Sequence, residues 1–265
     1  MDSPYKEKVG KPTGMRVYID ALVPPAAGLS SSSAFTVCSA LLTTHANGLI
    51  KEVDQKSLAE LTVAAERLAG TACGGMDQTI SVMGQKNVAK LIDFKPTLKV
   101  SDVKVPDSVS FVIANSLAPV PKLLTLGTRY NKRVVECKFA LSILSMKLGK
   151  STSFIECPYN DFEDLQRDLG VDFDEMSKHC EYHLTKGGYT LAKLLEIHET
   201  PFKLVDHVKD VEAVQSQNTH FYLYERAKHV FGEAQRVHQF KALCNDEEMA
   251  EEDKVKKLGK LMNDS

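Results

Sequence analysis

Two stretches of the chain hold residue types suited to moving a phosphoryl group. The first is Pro24-Pro25-Ala26-Ala27-Gly28-Leu29-Ser30-Ser31-Ser32-Ser33-Ala34. If a helix begins among these serines, its first N–H groups and about half a positive charge face outward, which suits a phosphate. Small residues let the phosphate approach the backbone, and hydroxyls add hydrogen bonds or a magnesium ligand. No Gly-Lys-Ser/Thr follows, so this is not a Walker A loop. A serine here could equally cap the helix and bind nothing. The second stretch is Gly74-Gly75-Met76-Asp77-Gln78, with Glu66 11 positions before Asp77. Phosphoryl transfer needs a metal ligand and a group aimed at the acceptor hydroxyl, and Glu66 and Asp77 are candidates for those roles. Taken singly, Glu66 reads as well as a solvated helix carboxylate, and Asp77 as a turn residue after two glycines.

The elements that must hold these residues follow from periodicity. Met15–Val23 alternates and is β-branched, which predicts a strand ending at Pro24-Pro25. From Ser33 the pattern turns helical through Phe35, Val37, Cys38, Leu41 and Leu42, with Gly48 as its stop. Ser57-Leu58-Ala59-Glu60 fits a capping box that opens a second helix, striped by Leu58, Leu61, Ala65 and Leu68 and ended by Gly70. Strands are predicted at Val88–Phe94 and Val109–Asn115. Beyond Leu117 the sequence is mostly helical. Val134, Cys137, Leu141, Leu144 and Leu148 form one stripe, and Leu223, Ala227, Val230, Ala234 and Val237 another within Thr219–Leu243. A last charged helix spans Asp246–Met262, and Ser151–Leu204 reads as helices and loops. The sum is an α+β chain with a mixed first half and a helical second half.

Together, the two stretches resemble the galactokinase branch of the GHMP small-molecule kinases. Val23 to Ala34 is similar to that family's second motif, and Gly74-Gly75-Met76-Asp77-Gln78 to the segment bearing its catalytic aspartate. The likeness continues in family order through Ala89-Lys90-Leu91-Ile92-Asp93-Phe94, Val112-Ile113-Ala114-Asn115-Ser116 and Tyr130-Asn131-Lys132-Arg133-Val134-Val135-Glu136-Cys137. It returns in Arg226-Ala227-Lys228-His229-Val230 and Leu258-Gly259-Lys260-Leu261-Met262-Asn263.

The resemblance implies a GHMP-kinase-like fold, with residues 1–116 as the ATP-binding domain and residues 117–265 opening a mainly helical second domain. It implies ATP-dependent phosphorylation of a hexose at its anomeric hydroxyl, with Mg²⁺ bridging the phosphates. By position Gly28, Leu29, Ser30, Ser31, Ser32 and Ser33 would meet ATP, and Ser32 and Glu66 would hold magnesium. Asp77 would receive the C1 hydroxyl proton, and Tyr130 would contact the sugar. The serine-loop form is similar to the N-acetylgalactosamine kinase branch and its plant galactokinase relatives, while the tyrosine at 130 favours galactose. A sugar- and ATP-sensing regulator without catalysis is the alternative of another class; the intact Ser33-Ala34 pair favours catalysis. Neither the family's N-terminal Gly-Arg-Val-Asn-Leu-Ile-Gly-Glu-His segment nor its C-terminal glycine-rich motif has a counterpart in the chain. Little kinase activity is therefore expected of this polypeptide by itself.

Composition bounds the partners. With 33 basic against 35 acidic side chains the formal net charge is -2, which supplies no basic stripe for nucleic acid and no cationic face for a membrane. Small molecules are the expected partners of a monomer. None of the 6 cysteines forms a Cys-x-x-Cys pair, and Cys38 and Cys137 are expected to be reduced core residues. Met1–Lys11 is charged and polar, unlike a signal peptide, so a cytoplasmic location is expected.

Overall fold

The computed structural model describes residues 11–118, 125, 129–209 and 211–265. The chain divides into two compact units, Met1–Pro121 and Lys122–Ser265.

In the first unit three helices pack each against the other two: α1 (Ser31–Ala46), α2 (Gln55–Leu68) and α3 (Met76–Met83). An antiparallel hairpin follows, β1 (Ala89–Asp93) with β2 (Lys99–Val103), in the register Ala89 opposite Val103. The strand read at Val88–Phe94 is thus present, and β2 is an addition. The strands expected at Met15–Val23 and Val109–Asn115 do not form. Neither stretch joins a ladder among the described residues. Alternation selects an extended backbone, but a strand exists only when a neighbour takes up its N–H and C=O groups. Among the described residues, most exposed large apolar side chains belong to this unit, including Tyr18, Leu22, Phe35, Val112 and Ile113.

Two details of the helices differ from expectation. The N-cap of α2 is Asp54, whose carboxylate accepts from the Ser57 amide at 2.7 Å, so the helix opens three residues earlier than the Ser57 box implied. Its buried face is Leu58, Ala59, Thr62 and Glu66, while Ala65 and Leu68 are exposed. Hydrophobicity alone chose the wrong edge of the stripe, because the true one carries a hydroxyl and a carboxylate. On α1 the buried residues are Ser33, Val37 and Thr44, and Cys38 is exposed rather than in a core.

The second unit is built around α4 (Asn131–Lys147), buried on nearly every side rather than along one stripe. Around it lie α5 (Phe162–Leu169), α6 (Phe173–His183), α7 (Leu191–Ile197), a 3₁₀ turn (Pro201–Val205), α8 (Val211–Gln217) and α9 (Leu223–Asn245). A two-residue ladder pairs β3 (Tyr189–Thr190) with β4 (His220–Phe221), and α10 (Glu251–Asp264) packs on α9. Phe139 on α4 meets Phe154, Phe202 and Phe221 at centroid distances of 5.5, 5.2 and 6.1 Å. Such tilted and edge-on contacts contribute about 0.5–1.5 kcal/mol each beyond area burial. The α9 stripe holds at Leu223 and Ala227 and fades to an exposed Val237. Cys137 sits half-buried against this core as expected, its thiol pushed up to about 11 chiefly by burial.

One charge is enclosed in this core. Glu136 of α4 is 0% exposed. Its carboxylate accepts from the Tyr222 amide at 2.9 Å and from Arg133 at 2.8 Å, with Lys132 and the Arg226 Nε at 3.8 and 3.7 Å. Tyr222 is the N-cap of α9, so the carboxylate takes up one of the backbone N–H groups that a helix start leaves without an intrahelical partner. Burial lowers the Lys132 pKa, against the raising effect of Glu136. The Lys132 ammonium also lies over the rings of Phe221 and Tyr222, at 5.7 and 5.4 Å from their centroids.

Candidate active site

The serine loop reaches α1 through alternating backbone handedness. Ala26, Gly28 and Ser30 have φ of 57°, 75° and 56°, and neither Ala27 nor Leu29 joins them in the positive range. Alternation of this kind turns successive amides toward one side and makes an anion-binding concavity. For the two non-glycine residues the left-handed backbone costs about 1–2 kcal/mol each. Ser30 is the N-cap of α1, and its side chain makes no capping bond. The helical ladder starts with the Ala34 amide donating to the Ser30 carbonyl at 3.0 Å, so the amides of Ser31, Ser32 and Ser33 precede it. The capping explanation of the serines fails at Ser30.

Two of the hydroxyls turn inward to α2. Ser32 Oγ donates to Glu66 Oε1 at 2.7 Å, and Ser33 Oγ donates to Glu66 Oε2 at 2.9 Å. Gln78 Nε2, from α3, also donates to Glu66 Oε2. Glu66 is only 8% exposed, so it is not a solvated helix carboxylate. No Lys, Arg or His forms an ion pair with it among the described residues. A carboxylate held by neutral donors and shielded from water favours a cation at whatever lone pair remains.

Asp77 follows from a different local rule. Gly75 caps α3 at φ 108°. A Cβ there would meet Val63 Cγ2 at 3.0 Å and Phe94 Cε1 at 3.3 Å, so both backbone and space require glycine. Arg67, at the end of α2, donates from Nε and Nη2 to the Cys73 carbonyl at 3.1 and 3.0 Å, pinning the loop that leads to Gly75. Asp77 is then in the first turn of α3, half-buried, where the helix N-terminus favours its negative charge. No described side chain bonds its carboxylate, which leaves it free to accept.

The oxygen atoms present fit a magnesium ion. Ser32 Oγ and Glu66 Oε1 are 2.7 Å apart, close to the ~2.9 Å edge of an octahedron with bonds of 2.0–2.1 Å. A serine that donates its proton to a carboxylate keeps its own lone pairs for a metal. Three helices thus bring together Ser32, Ser33, Glu66 and Gln78 by direct bonds, with Asp77 next in sequence to Gln78. Tyr130 belongs to the second unit, half-buried at the N-cap of α4. Gln78 lies inside the Gly74–Gln78 motif but had no expected role. Its signal was position: on a helix, neighbours in sequence point about 100° apart, so a residue beside Asp77 faces a different helix.

Residues 4–85 match the GHMP kinases N terminal domain. The fold of the chain is α+β. The chain is similar to galactokinases. That of Dictyostelium discoideum is 36% identical over 273 residues, which cover 98% of this chain and 53% of the relative. Those of Candida albicans and Saccharomyces cerevisiae are 33% and 32% identical, covering 97% and 95% of this chain and 54% and 53% of the relatives. The chain spans about half the length of the curated relatives it matches.

Proposed function

We propose that this chain carries the phosphate- and metal-holding part of an ATP-dependent sugar 1-kinase that converts galactose to galactose 1-phosphate and ADP. The observation that supports the reading most is the buried Glu66 carboxylate, bonded at once by two serines of the phosphate loop and by the residue after Asp77. Residues 1–116 are proposed as the ATP-binding domain and residues 117–265 as the start of the helical one. The galactokinase relatives favour galactose over N-acetylgalactosamine as substrate.

In the proposed reaction the backbone of Gly28 to Ser33 and the N-terminus of α1 bind the phosphates of ATP. Ser32 and Glu66 would hold magnesium, which when bound would supply neutralisation of the phosphate charge. Asp77 accepts the proton of the C1 hydroxyl, the sugar oxygen forms a bond to the γ-phosphorus, and the bond from that phosphorus to the bridging oxygen breaks to release ADP. The free Asp77 carboxylate, in a first helical turn, suits this role. Tyr130 is proposed to contact the sugar.

The first test is a thermal shift with ATP, with and without Mg²⁺. A ligand at 100 times its Kd adds about 2.7 kcal/mol, so magnesium-dependent stabilisation is expected. Its loss in both Ser32→Ala and Glu66→Ala would support the assignment, and equal stabilisation without magnesium would overturn it. The second test is turnover, followed by ³¹P NMR on galactose and on N-acetylgalactosamine. An undiminished rate in Asp77→Asn would remove Asp77 from the mechanism.

A further inference from the structure

We infer that Gln78 is a positioning residue that selects which oxygen of Glu66 faces the cation, an inference resting on the metal reading just proposed. Gln78 is the third residue of α3 and 1% exposed. Its Nε2 donates to Glu66 Oε2 and lies 3.6 Å from Cys73 Sγ. A carboxylate oxygen accepts about two hydrogen bonds. Oε2 has two, from Ser33 and Gln78, and is saturated. Oε1 has one, from Ser32, and keeps a lone pair. Without Gln78 the two oxygens would be equivalent, each held by one serine, and the carboxylate could turn about its last bond. With Gln78 the open lone pair is the one beside Ser32 Oγ, the other proposed ligand.

A second observation comes from the other end of the same amide. Gln78 Oε1 is buried and has no hydrogen-bond partner. A buried acceptor left bare is costly, and a water or ion is one of the partners that relieve it in native proteins. A water in the shell of a bound cation is a donor that would satisfy it. Gln78 also shares a rigid helix with Asp77 as its neighbour, so the bond to Glu66 fixes α3 and the aspartate it carries relative to the metal ligand. The outer-shell role is that of the groups that orient ligands around a metal, whose loss typically lowers metal affinity 10–100-fold.

The test is a titration of the 265-residue chain with Mn²⁺ in the presence of ADP, followed by the electron paramagnetic resonance signal of free Mn²⁺. Gln78→Met keeps the volume and removes both polar atoms. Its Mn²⁺ affinity is expected to fall about 10–100-fold, with an unchanged circular dichroism spectrum. Gln78→Asn, which keeps the amide but withdraws it by one carbon, is expected to lose affinity similarly. Unchanged affinity in both, while Glu66→Ala binds poorly, overturns the role of Gln78 and leaves the metal site standing. Unchanged affinity in Glu66→Ala and Ser32→Ala sinks the metal site itself, and this inference with it. If the substitutions prevent folding, the wild-type chain decides: Mn²⁺ with ADP should broaden the Gln78 side-chain amide signals beyond detection, and sharp signals refute the placement.

Discussion

Replacing Glu136 by leucine tests the energetics of the second unit directly. The substitution removes the acceptor of the Tyr222 amide and the one carboxylate that, among the described residues, lies beside Lys132, Arg133 and Arg226 together. Arg133 is 45% exposed and regains water, so its loss costs little. The Lys132 and Arg226 side chains are 11% and 23% exposed, and the Arg226 Nε already has no hydrogen bond, so these charges cannot be rehydrated in place. Breaking a buried pair by removing one partner costs about 3–5 kcal/mol. The orphaned cap of α9 lies within that range rather than on top of it, since all the contacts share one carboxylate. At roughly 2–4 °C per kcal/mol for a unit of this size, the midpoint should fall by about 6–20 °C.

The better assay is amide hydrogen exchange by mass spectrometry on a peptide covering 131–147, because it reports this unit without assuming two-state unfolding of the whole chain. With 1.4 kcal/mol per factor of ten, exchange should quicken roughly 10²–10⁴-fold. Glu136→Gln keeps an acceptor for Tyr222 and should fall between leucine and wild type. A leucine variant exchanging within about fivefold of wild type would refute the claim that the carboxylate stabilises the unit. It would mean that the apolar replacement repacks well enough to offset the stranded cations.

Three further outcomes are expected. Gly75→Ala should destabilise the first unit by about 1–3 kcal/mol, through its left-handed backbone and the contact with Val63, read as a lower thermal midpoint; an unchanged midpoint would show that α3 can shift. In thiol labelling under native conditions the exposed Cys38 should react first. Cys137 and Cys180, pushed up to about 11 and about 12 mainly by burial, should be protected until unfolding, and equal rates for all cysteines would contradict the packing around α4. The His183 pKa is lowered from 6.5, first by burial and then by the charges of His179 and Lys147. The unfolded chain then takes up this proton first as pH falls, so the stability from neutral His183 is present above about pH 6.5 and is lost through the more acid folded value. A thermal midpoint followed from pH 7.5 to 5.5 should fall, and His183→Gln should flatten that fall; an identical slope in the variant would exclude His183 as its source.

How much was legible in advance depended on whether the signal was local. The breaks at Pro24-Pro25, Gly48, Gly70 and Gly74-Gly75 concern backbone torsion, and helices α1, α2 and α3 begin or end beside them. The pairing of Ala89–Asp93 was half visible, since one strand of the hairpin carries the apolar pair Leu91-Ile92 and the other, Lys99–Val103, is more polar. Met15–Val23 and Val109–Asn115 show the opposite failure: strands were expected there, but no partner strand accompanies them among the described residues. Hydrophobic periodicity also misplaced the buried face of α2, because it ranks Leu68 above Glu66, whereas the structure exposes the leucine and buries the carboxylate.

By itself the sequence determined which residues could do chemistry, and that they lie in a serine loop before a helix, at Glu66, and at Asp77 after paired glycines. It determined this because torsional preference, side-chain chemistry and the order of motifs are properties of the chain. Only the tertiary structure decided that Ser32 and Ser33 bond to Glu66 rather than cap their own helix, and that Gln78 completes the arrangement. The reason is that a hydrogen bond between residues more than thirty positions apart is set by how α1, α2 and α3 pack, and such packing leaves no periodic trace in any one of them.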